Sequence, residues 1–542
     1  MDIQLYDTTL RDGMQGEGMS LSADEKLRVA HRLDALGIDL IEAGFPASNP
    51  KEQELFALLG RETFGHADIA AFGMTRRRDV AADADAALRV LADSFTPVCT
   101  LVGKTWGLHL DKVVRVDRDE NLRMIADSVA FLVGQGKRVV YDAEHFFDGY
   151  KQNPEYTLRV LESAVLEGAT HVVLCDTNGG SLPFEVERIV GEVVAYVDTA
   201  VCVHLHDDAG CGVANSLAGV AAGATHVQGT INGYGERCGN ANLVTMVPNL
   251  QLKLGHTCLT QEQLAELTDA SHFLDELLNF TPNPDAPYVG RNAFAHKGGM
   301  HVAGVNEDPA TFEHLDPDLV GNRRELLVSE LSGRGTVRAR ADAAGLTVDD
   351  ATVSRVIERV KELEHTGYHF EAADGSFDLL LRKEAGAYEP LFRLESWRVI
   401  VEKRADGRVE TEATIKIWLD GERYVRTAEG NGPVHALDRA LRAAIAEIHP
   451  HLKDIELVNF KVRILDERKG TGAITRVLLD SSDGGEVWGS IGVSENIIEA
   501  SWEALVDSLE AGMLPTRLAR GAKASTGRAQ APGSAGRAAT AS

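Results

Sequence analysis

The stretch RVVYDAEHFFDGYKQNPEYTLRVLESAVLEGATHVVLCDTNGG, residues 138–180, decides the fold. A short β-branched run, RVVYDAEH, ends among carboxylates and passes through a loop into PEYTLRVLESAVLEGA, whose apolar residues recur near every 3.6 positions and stop at Gly168. A second β-branched run, HVVLCDTNGG, then ends on Asp176, Thr177 and Asn178. Outward in both directions the same unit recurs: IQLYD (3–7), LIEAGF (40–45), IAAFGMT (69–75), TPVCTLVG (96–103), AVCVHLH (200–206) and HVQGTING (226–233). Helical patterns such as DEKLRVAHRLDALG, ENLRMIADSVAFLVGQG and VANSLAGVAAGA lie between them. Strand and helix alternating this often predict an α/β fold of the (β/α)8 TIM-barrel type, with right-handed connections. An open doubly wound sheet would carry a glycine-rich phosphate turn after its first strand, whereas DTTLRDG follows here.

After residue 255 the pattern changes to helical segments broken by NFTPNPDAPYVG (279–290) and AFAHKGGMH (293–301). From about 394 alternating strands appear, each set closed by a helix, PVHALDRALRAAIAEI and then NIIEASWEALVDSLEAGM. Strands then helix, twice over, predict an internally duplicated α+β domain. The expected divisions are a barrel over 1–265, a helical linker subdomain over 266–390, a duplicated domain over 391–513 and a tail over 514–542. Ala, Gly and Ser dominate that tail, which cannot build a core and is expected to be disordered.

The chain has 542 residues, with 55 Lys and Arg against 82 Asp and Glu, a net charge of −27. So acidic a surface repels phosphate backbones and anionic bilayers, which argues against nucleic acid and membrane as partners. An anionic substrate would need a local basic site. No secretory pattern opens the sequence and no run of about 18 apolar residues occurs, pointing to a cytoplasmic protein. The six cysteines form no CxxC pair and several lie in apolar runs, so they are expected to be reduced thiols.

In a TIM barrel the chemistry sits at the carboxyl ends of the strands. Those ends carry Asp7 leading to Arg11 and Asp12, Glu42, Glu144, Asp176 with Thr177, and His204 with His206. The two histidines are two positions apart on one strand, so both imidazoles face the same side. Together with the Asp12 carboxylate they can form one face of a divalent-metal site, although a structural histidine pair is the plainer reading of HxH alone. Mixed nitrogen and oxygen donors do not choose among Mg²⁺, Mn²⁺, Fe²⁺ and Zn²⁺. Asn240, in the glycine-bordered loop GYGERCGNANL (233–243), can add a neutral oxygen ligand or simply cap a helix. Arg11 is either a cation for a developing oxyanion or a salt-bridge partner of Glu42 or Asp176. His296 and His301 flank two glycines in HKGGMH, a pattern that suits a functional loop outside the barrel.

YDTTLRDG (6–13), HLHDDAG (204–210), NGYGERCGNANL (232–243), HKGGMH (296–301) and the trailing duplicated domain together resemble the metal-dependent Claisen-condensing synthases of the 2-isopropylmalate and homocitrate synthase family. DAEHFFDGYK (142–151), CDTNGG (175–180) and LLVSELSGRG (326–335) are most similar to its members that join acetyl-CoA to pyruvate. The resemblance implies an acyltransferase with a barrel, a linker subdomain and a carboxy-terminal regulatory domain, usually dimeric. It further implies Asp12, His204, His206 and Asn240 as ligands of a divalent cation, Mg²⁺ or Mn²⁺ ahead of Zn²⁺. Arg11, Thr177 and Asp12 would contact the 2-oxoacid, and Glu144, His301 and His296 would activate the co-substrate acetyl-CoA. Isoleucine is the implied effector, held where TAEGNGPVHAL (427–437) and GSIGVSENII (489–498) lead into helices. A different 2-oxoacid such as 2-oxoisovalerate or 2-oxoglutarate, or a catalytically silent amino-acid sensor, are the competing readings. Two positions depart from the family pattern: Asp207 stands where Asn is common, and Phe312 where relatives usually carry tyrosine.

Overall fold

A computed structural model describes residues 2–327, 333–446, 448–465, 470, 472–484 and 486–514. The expected tail and part of LLVSELSGRG therefore lie outside the described residues, apart from Leu514 and the ends of that motif. The chain forms two compact units, Met1–Phe294 with Leu315–Arg324, and Ala295–His314 with Glu325–Ser542.

In the first unit eight parallel strands close into a barrel in sequence order: β1 (Gln4–Asp7), β2 (Leu40–Gly44), β3 (Asp68–Met74), β4 (Val98–Lys104), β5 (Arg138–Glu144), β6 (His171–Asp176), β7 (Ala200–Leu205) and β8 (His226–Gly229). Every one begins within two residues of a run read from the sequence. Closure comes from β8 pairing with β1, Gln4 opposite His226 through Asp7 opposite Gly229. Tyr6, Leu40, Ala70, Val98, Val140, Val173, Cys175 and Cys202 form a buried cluster of their own within the barrel. A larger apolar layer joins the strands to the surrounding helices, for example Leu5 and Ile41 with Val29, Leu33 and Leu36. The first of these helices, Ala23–Leu36, starts at a capping box between Ser22 and Glu25 and stops at Gly37, whose φ of 93° is left-handed.

The second unit holds a two-stranded parallel pair, β9 (Ala295–His296) with β10 (Glu325–Leu326), and the helices Arg334–Ala343, Asp350–His365 and Asp374–Glu384. Two antiparallel three-stranded sheets follow: β11 (Arg393–Lys403), β12 (Val409–Leu419) and β13 (Glu422–Gly430), then β14 (Glu456–Ile464), β15 (Thr475–Ser482) and β16 (Val487–Ser494). Each sheet is followed by its helix, Pro433–Ile445 or Ile497–Gly512, so the duplication is present in the fold. Alternation explains the packing. Ala413, Ile415, Ile417 and Leu419 of β12 are buried together with Ala436, Leu437, Ala440 and Leu441 of the first helix. Among the described residues no helix is long and apolar enough to cross a membrane. All six cysteines are free thiols; Cys99, Cys175 and Cys202 are in the core, whereas Cys238 is exposed.

Candidate metal centre

The turn after β1 brings the first ligand candidate inward. Asp7 accepts hydrogen bonds from the Thr9 backbone N–H at 2.9 Å and hydroxyl at 2.7 Å, and burial pushes its carboxyl up to about 7. Thr9 Oγ1 in turn accepts from the Ile231 N–H at 2.9 Å, tying this turn to the segment after β8. Asp12 is thereby held buried, its Oδ2 3.2 Å from His204 Nε2 and 3.9 Å from His206 Nε2. The two imidazole Nε2 atoms are 3.4 Å apart. These three side chains offer one donor atom each, all within 4.8 Å of one another.

Burial alone would raise the Asp12 carboxyl, but Arg11 at 3.0 Å and the adjoining His204 hold it well below the usual carboxylate range. His206 is lowered to about 4 by burial and by its neighbour His204, so its imidazole is neutral near pH 7. His204 donates its Nδ1–H to Gln228 Oε1 at 3.0 Å, and Gln228 Nε2 donates to Asp142 Oδ1 at 3.4 Å. That hydrogen bond fixes the ring with Nε2 facing Asp12 Oδ2, where a protonated Nε2 donates to the carboxylate and, with a cation bound, its lone pair would serve as a ligand.

Asn240 faces His206 across an isolated backbone bridge, and the neighbouring Ala241 N–H bonds the Leu205 carbonyl at 2.8 Å. Its loop can pass so close because of its glycines: a Cβ on Gly235 would sit 2.1 Å from Asn240 Nδ2. Asn240 Nδ2 donates to the Tyr234 carbonyl at 3.2 Å, while Asn240 Oδ1 is buried with no partner. Asp12 Oδ1 and His206 Nδ1 are likewise buried and unpartnered. Two orphaned acceptor oxygens cost about 1–3 kcal/mol each unless something electropositive meets them. A carboxylate, two imidazoles and a neutral amide oxygen are hard-to-borderline donors, and the set fits a divalent cation.

Of the roles left open by the sequence, the structure shows Arg11 as a salt-bridge partner of Glu42. Its Nε donates to Glu42, its Nη1 lies 3.0 Å from Asp12 Oδ2, and its guanidinium stacks 4.1 Å from the Phe72 ring. Burial opposes its charge, but Glu42, Asp12 and Asp142 outweigh that and keep it firmly cationic. Asp176, the other expected partner, instead accepts the Ser181 N–H at 2.9 Å. Thr177 Oγ1 accepts the His145 N–H at 2.9 Å. Glu144 pairs with Lys104 Nζ. His296 and His301 belong to the second unit, where His296 Nε2 meets Glu313 Oε1 at 3.0 Å and His301 stacks on Phe312 with centroids 4.1 Å apart. Asp207 accepts the N–H of Gly212, the first residue of the helix Gly212–Ala221, at 2.6 Å, so its carboxylate serves a helix N-terminus.

Gln228 and Asp142 lie within quoted motifs but no role was read for them. A polar residue two positions after His226, in the middle of an apolar barrel strand, was the available signal. Lys104, His109 and His145 around Glu144 were also missed. Burial and the nearby His145 and Lys104 lower His109 below the ordinary histidine range.

Residues 2–273 match the HMGL-like family, residues 288–367 the homocitrate synthase post-HMGL domain-like family, and residues 371–513 the LeuA allosteric (dimerisation) domain. A protein of Streptomyces coelicolor named (R)-citramalate synthase is 49% identical over 514 residues, 94% of this chain and 96% of that protein. Relatives of the same name from Geobacter sulfurreducens and Aquifex aeolicus are 47% and 46% identical, each over 94% of this chain and 97% of their own length. A solved HMG-CoA lyase from Brucella melitensis is 18% identical with a TM-score of 0.44, covering 51% of this chain and 99% of that one. On likeness that runs through barrel, linker and duplicated domain alike, the chain belongs to the (R)-citramalate synthase family.

Proposed function

We propose that the chain condenses acetyl-CoA with pyruvate and water to give (R)-citramalate and CoA, feeding isoleucine synthesis by a route that does not start from threonine. The observation that carries this reading is the buried set Asp12, His204 and His206 with the unpartnered oxygens of Asp12 and Asn240 beside the Arg11 guanidinium. The names borne by its relatives supply the substrate class.

Asp12, His204, His206 and Asn240 would hold the cation, Mg²⁺ or Mn²⁺ in preference to Zn²⁺. When bound, such an ion supplies Lewis-acid polarisation of a keto group. Arg11, kept charged by Glu42, presents a fixed cation to the oxygen that gains negative charge as the new carbon–carbon bond forms. Thr177 already uses an oxygen lone pair on the His145 N–H, so its hydroxyl proton is free to donate to the carboxylate of pyruvate. Glu144, with His301 and His296, is assigned to removing a methyl proton from acetyl-CoA, and the resulting enolate attacks the pyruvate ketone. Hydrolysis of the thioester then releases CoA and makes the sequence irreversible.

On this reading the duplicated domain, 391–513, follows a linker over 266–390 and a catalytic segment over 1–265, and acts in the cytoplasm as the dimerisation and isoleucine-sensing part of a homodimer. Phe460, Val462 and Ile464 alternate along β14 and are all exposed, an apolar surface that suits a second copy. The test is release of free CoA thiol from acetyl-CoA with Mg²⁺ or Mn²⁺, comparing pyruvate, 2-oxobutyrate, 2-oxoisovalerate and 2-oxoglutarate. Preference for pyruvate with citramalate identified by mass supports the reading. Preference for another oxoacid moves the substrate, and no thiol release with any of them overturns it. Isoleucine at millimolar concentration is expected to lower the rate and raise the melting temperature.

A further inference from the structure

The carboxyl ends of β4, β5 and β6 carry a second cluster that the condensation reading uses only through Glu144 and Thr177. His109, Glu144 and His145 each offer a donor atom, and these atoms all lie within 4.8 Å of one another. His145 has left-handed backbone, φ 55°, a conformation costly for a side chain with a Cβ and kept only where the surroundings enforce it. Its N–H is anchored on Thr177 Oγ1 at 2.9 Å, and its ring packs 4.2 Å from His109 and 5.4 Å from Trp106, centroid to centroid.

The arrangement around the rings is that of a built ligand set. His145 donates Nδ1–H to Asp148 Oδ2 at 3.1 Å, and the same oxygen accepts Asn178 Nδ2 at 2.8 Å. A carboxylate on Nδ1 leaves the Nε2 lone pair of His145 as the outward donor, the orientation that carboxylate–histidine–metal sites use. His109 Nδ1 is buried and has no hydrogen-bond partner. Lys104 Nζ occupies Glu144 Oε2, which leaves Oε1 as the open carboxylate donor. Lys104 offsets one of the two carboxylates, Glu144 and Asp148, so the cluster keeps one net negative charge to offer a dication.

We propose that His109, Glu144 and His145 form a second cation site, separate from the Asp12 centre, selective for a borderline transition-metal dication such as Zn²⁺. Two imidazoles and one carboxylate suit zinc, and this set lacks the extra oxygens, Asn240 Oδ1 and Asp12 Oδ1, that make the Asp12 centre the harder of the two and the better match for Mg²⁺. Binding stands apart from the condensation chemistry. Its consequence rests on the proposed function: an ion on Glu144 withdraws the carboxylate assigned to acetyl-CoA activation, so zinc inhibits the Mg²⁺-supported reaction as this site fills.

The full chain, dialysed against a Zn²⁺ buffer and assayed for metal without substrate, tests the binding. Wild type is expected to hold two zinc ions. His109→Phe, which keeps an aromatic ring against Trp106, and His204→Ala are each expected to hold one. Asp148→Asn is expected to weaken the second ion about 10–100-fold without abolishing it. One ion in wild type, or two retained in His109→Phe with an unchanged melting curve, overturns the site. With Mg²⁺ and no zinc, His109→Phe is expected to keep the wild-type rate, and with Mg²⁺ in excess to lose the inhibition by added zinc. Equal inhibition of wild type and His109→Phe by added zinc, with Mg²⁺ kept in excess, overturns the consequence for Glu144. Because stoichiometry is read without substrate, failure of the condensation reading cannot be mistaken for failure of the site.

Discussion

The carboxyl end of the barrel and the duplicated sheets are built on opposite principles. In the sheets Ala413, Ile415, Ile417 and Leu419 of β12 are buried against the helix Pro433–Ile445, while Glu412, Thr414 and Lys416 between them are turned outward. At the barrel end buried positions hold Asp7, Asp12, Glu42, Asp142, His204, His206 and Asn240, with acceptor oxygens left unpaired. One region gains stability from its interior, and the other spends stability to keep charged and polar groups poised. The difference locates the candidate metal centre in the first unit and leaves the duplicated sheets of the second with a packed interior and an exposed apolar strand.

Substitutions sharpen that contrast. Arg11→Ala is expected to lower kcat about 10²–10³-fold, the usual loss when one donor to a developing oxyanion is removed, and to lower the melting temperature as well, because it leaves the buried Glu42 carboxylate without its partner. A kcat near wild type would return Arg11 to the role of a salt bridge. Leu441→Ala, in the buried face of the helix Pro433–Ile445, is expected to cost about 2–5 kcal/mol of unfolding free energy, read by denaturant titration. Metal binding by the barrel should survive it, and a parallel loss of both would blur the division of labour. Gln228→Leu removes the acceptor that sets the His204 tautomer and is expected to weaken Mn²⁺ binding about 10–100-fold, measured by electron paramagnetic resonance of free ion. Unchanged affinity would show that the barrel wall alone orients the ring.

The smallest effect concerns pH. Burial pushes Asp507, on the last helix, up to about 6, against the pull of Lys383 3.9 Å away and of Ser376. Its folded pKa exceeds its unfolded value, so in that window the folded state binds more protons. The associated stability is present below the ordinary carboxylate range and is lost as pH rises through about 6. Asp507→Asn should therefore narrow the gap in melting temperature between pH 5 and pH 8 by about 2–4 °C, and a widened gap would reverse the sign.

Much of this was legible before any coordinates because it is periodic. β-branched runs alternating with 3.6-residue patterns predicted all eight barrel strands, and the spacing of His204 and His206 alone put both rings on one side. Pairings across the barrel were not legible in that way. Arg11 had Glu42 and Asp176 as equal candidates, and only the closed barrel puts Glu42 against its Nε while Asp176 turns to Ser181. Gln228 and Asp142 passed unnoticed because a polar residue within an apolar strand has no meaning until its partner across the lumen is known. His145 gave no local sign of a left-handed backbone, since histidine carries none of the glycine signal that such a turn ordinarily shows.

The sequence by itself determined the order of strands and helices, the duplication of the second unit and the motifs that carry the family resemblance, because burial on one face imposes a local period. The tertiary structure alone decided which donors converge on Asp12, which tautomer His204 adopts, which oxygens stay unpaired and that His109 meets His145. Those depend on register around a closed barrel, where residues far apart in the chain become neighbours for reasons that no short window of sequence contains.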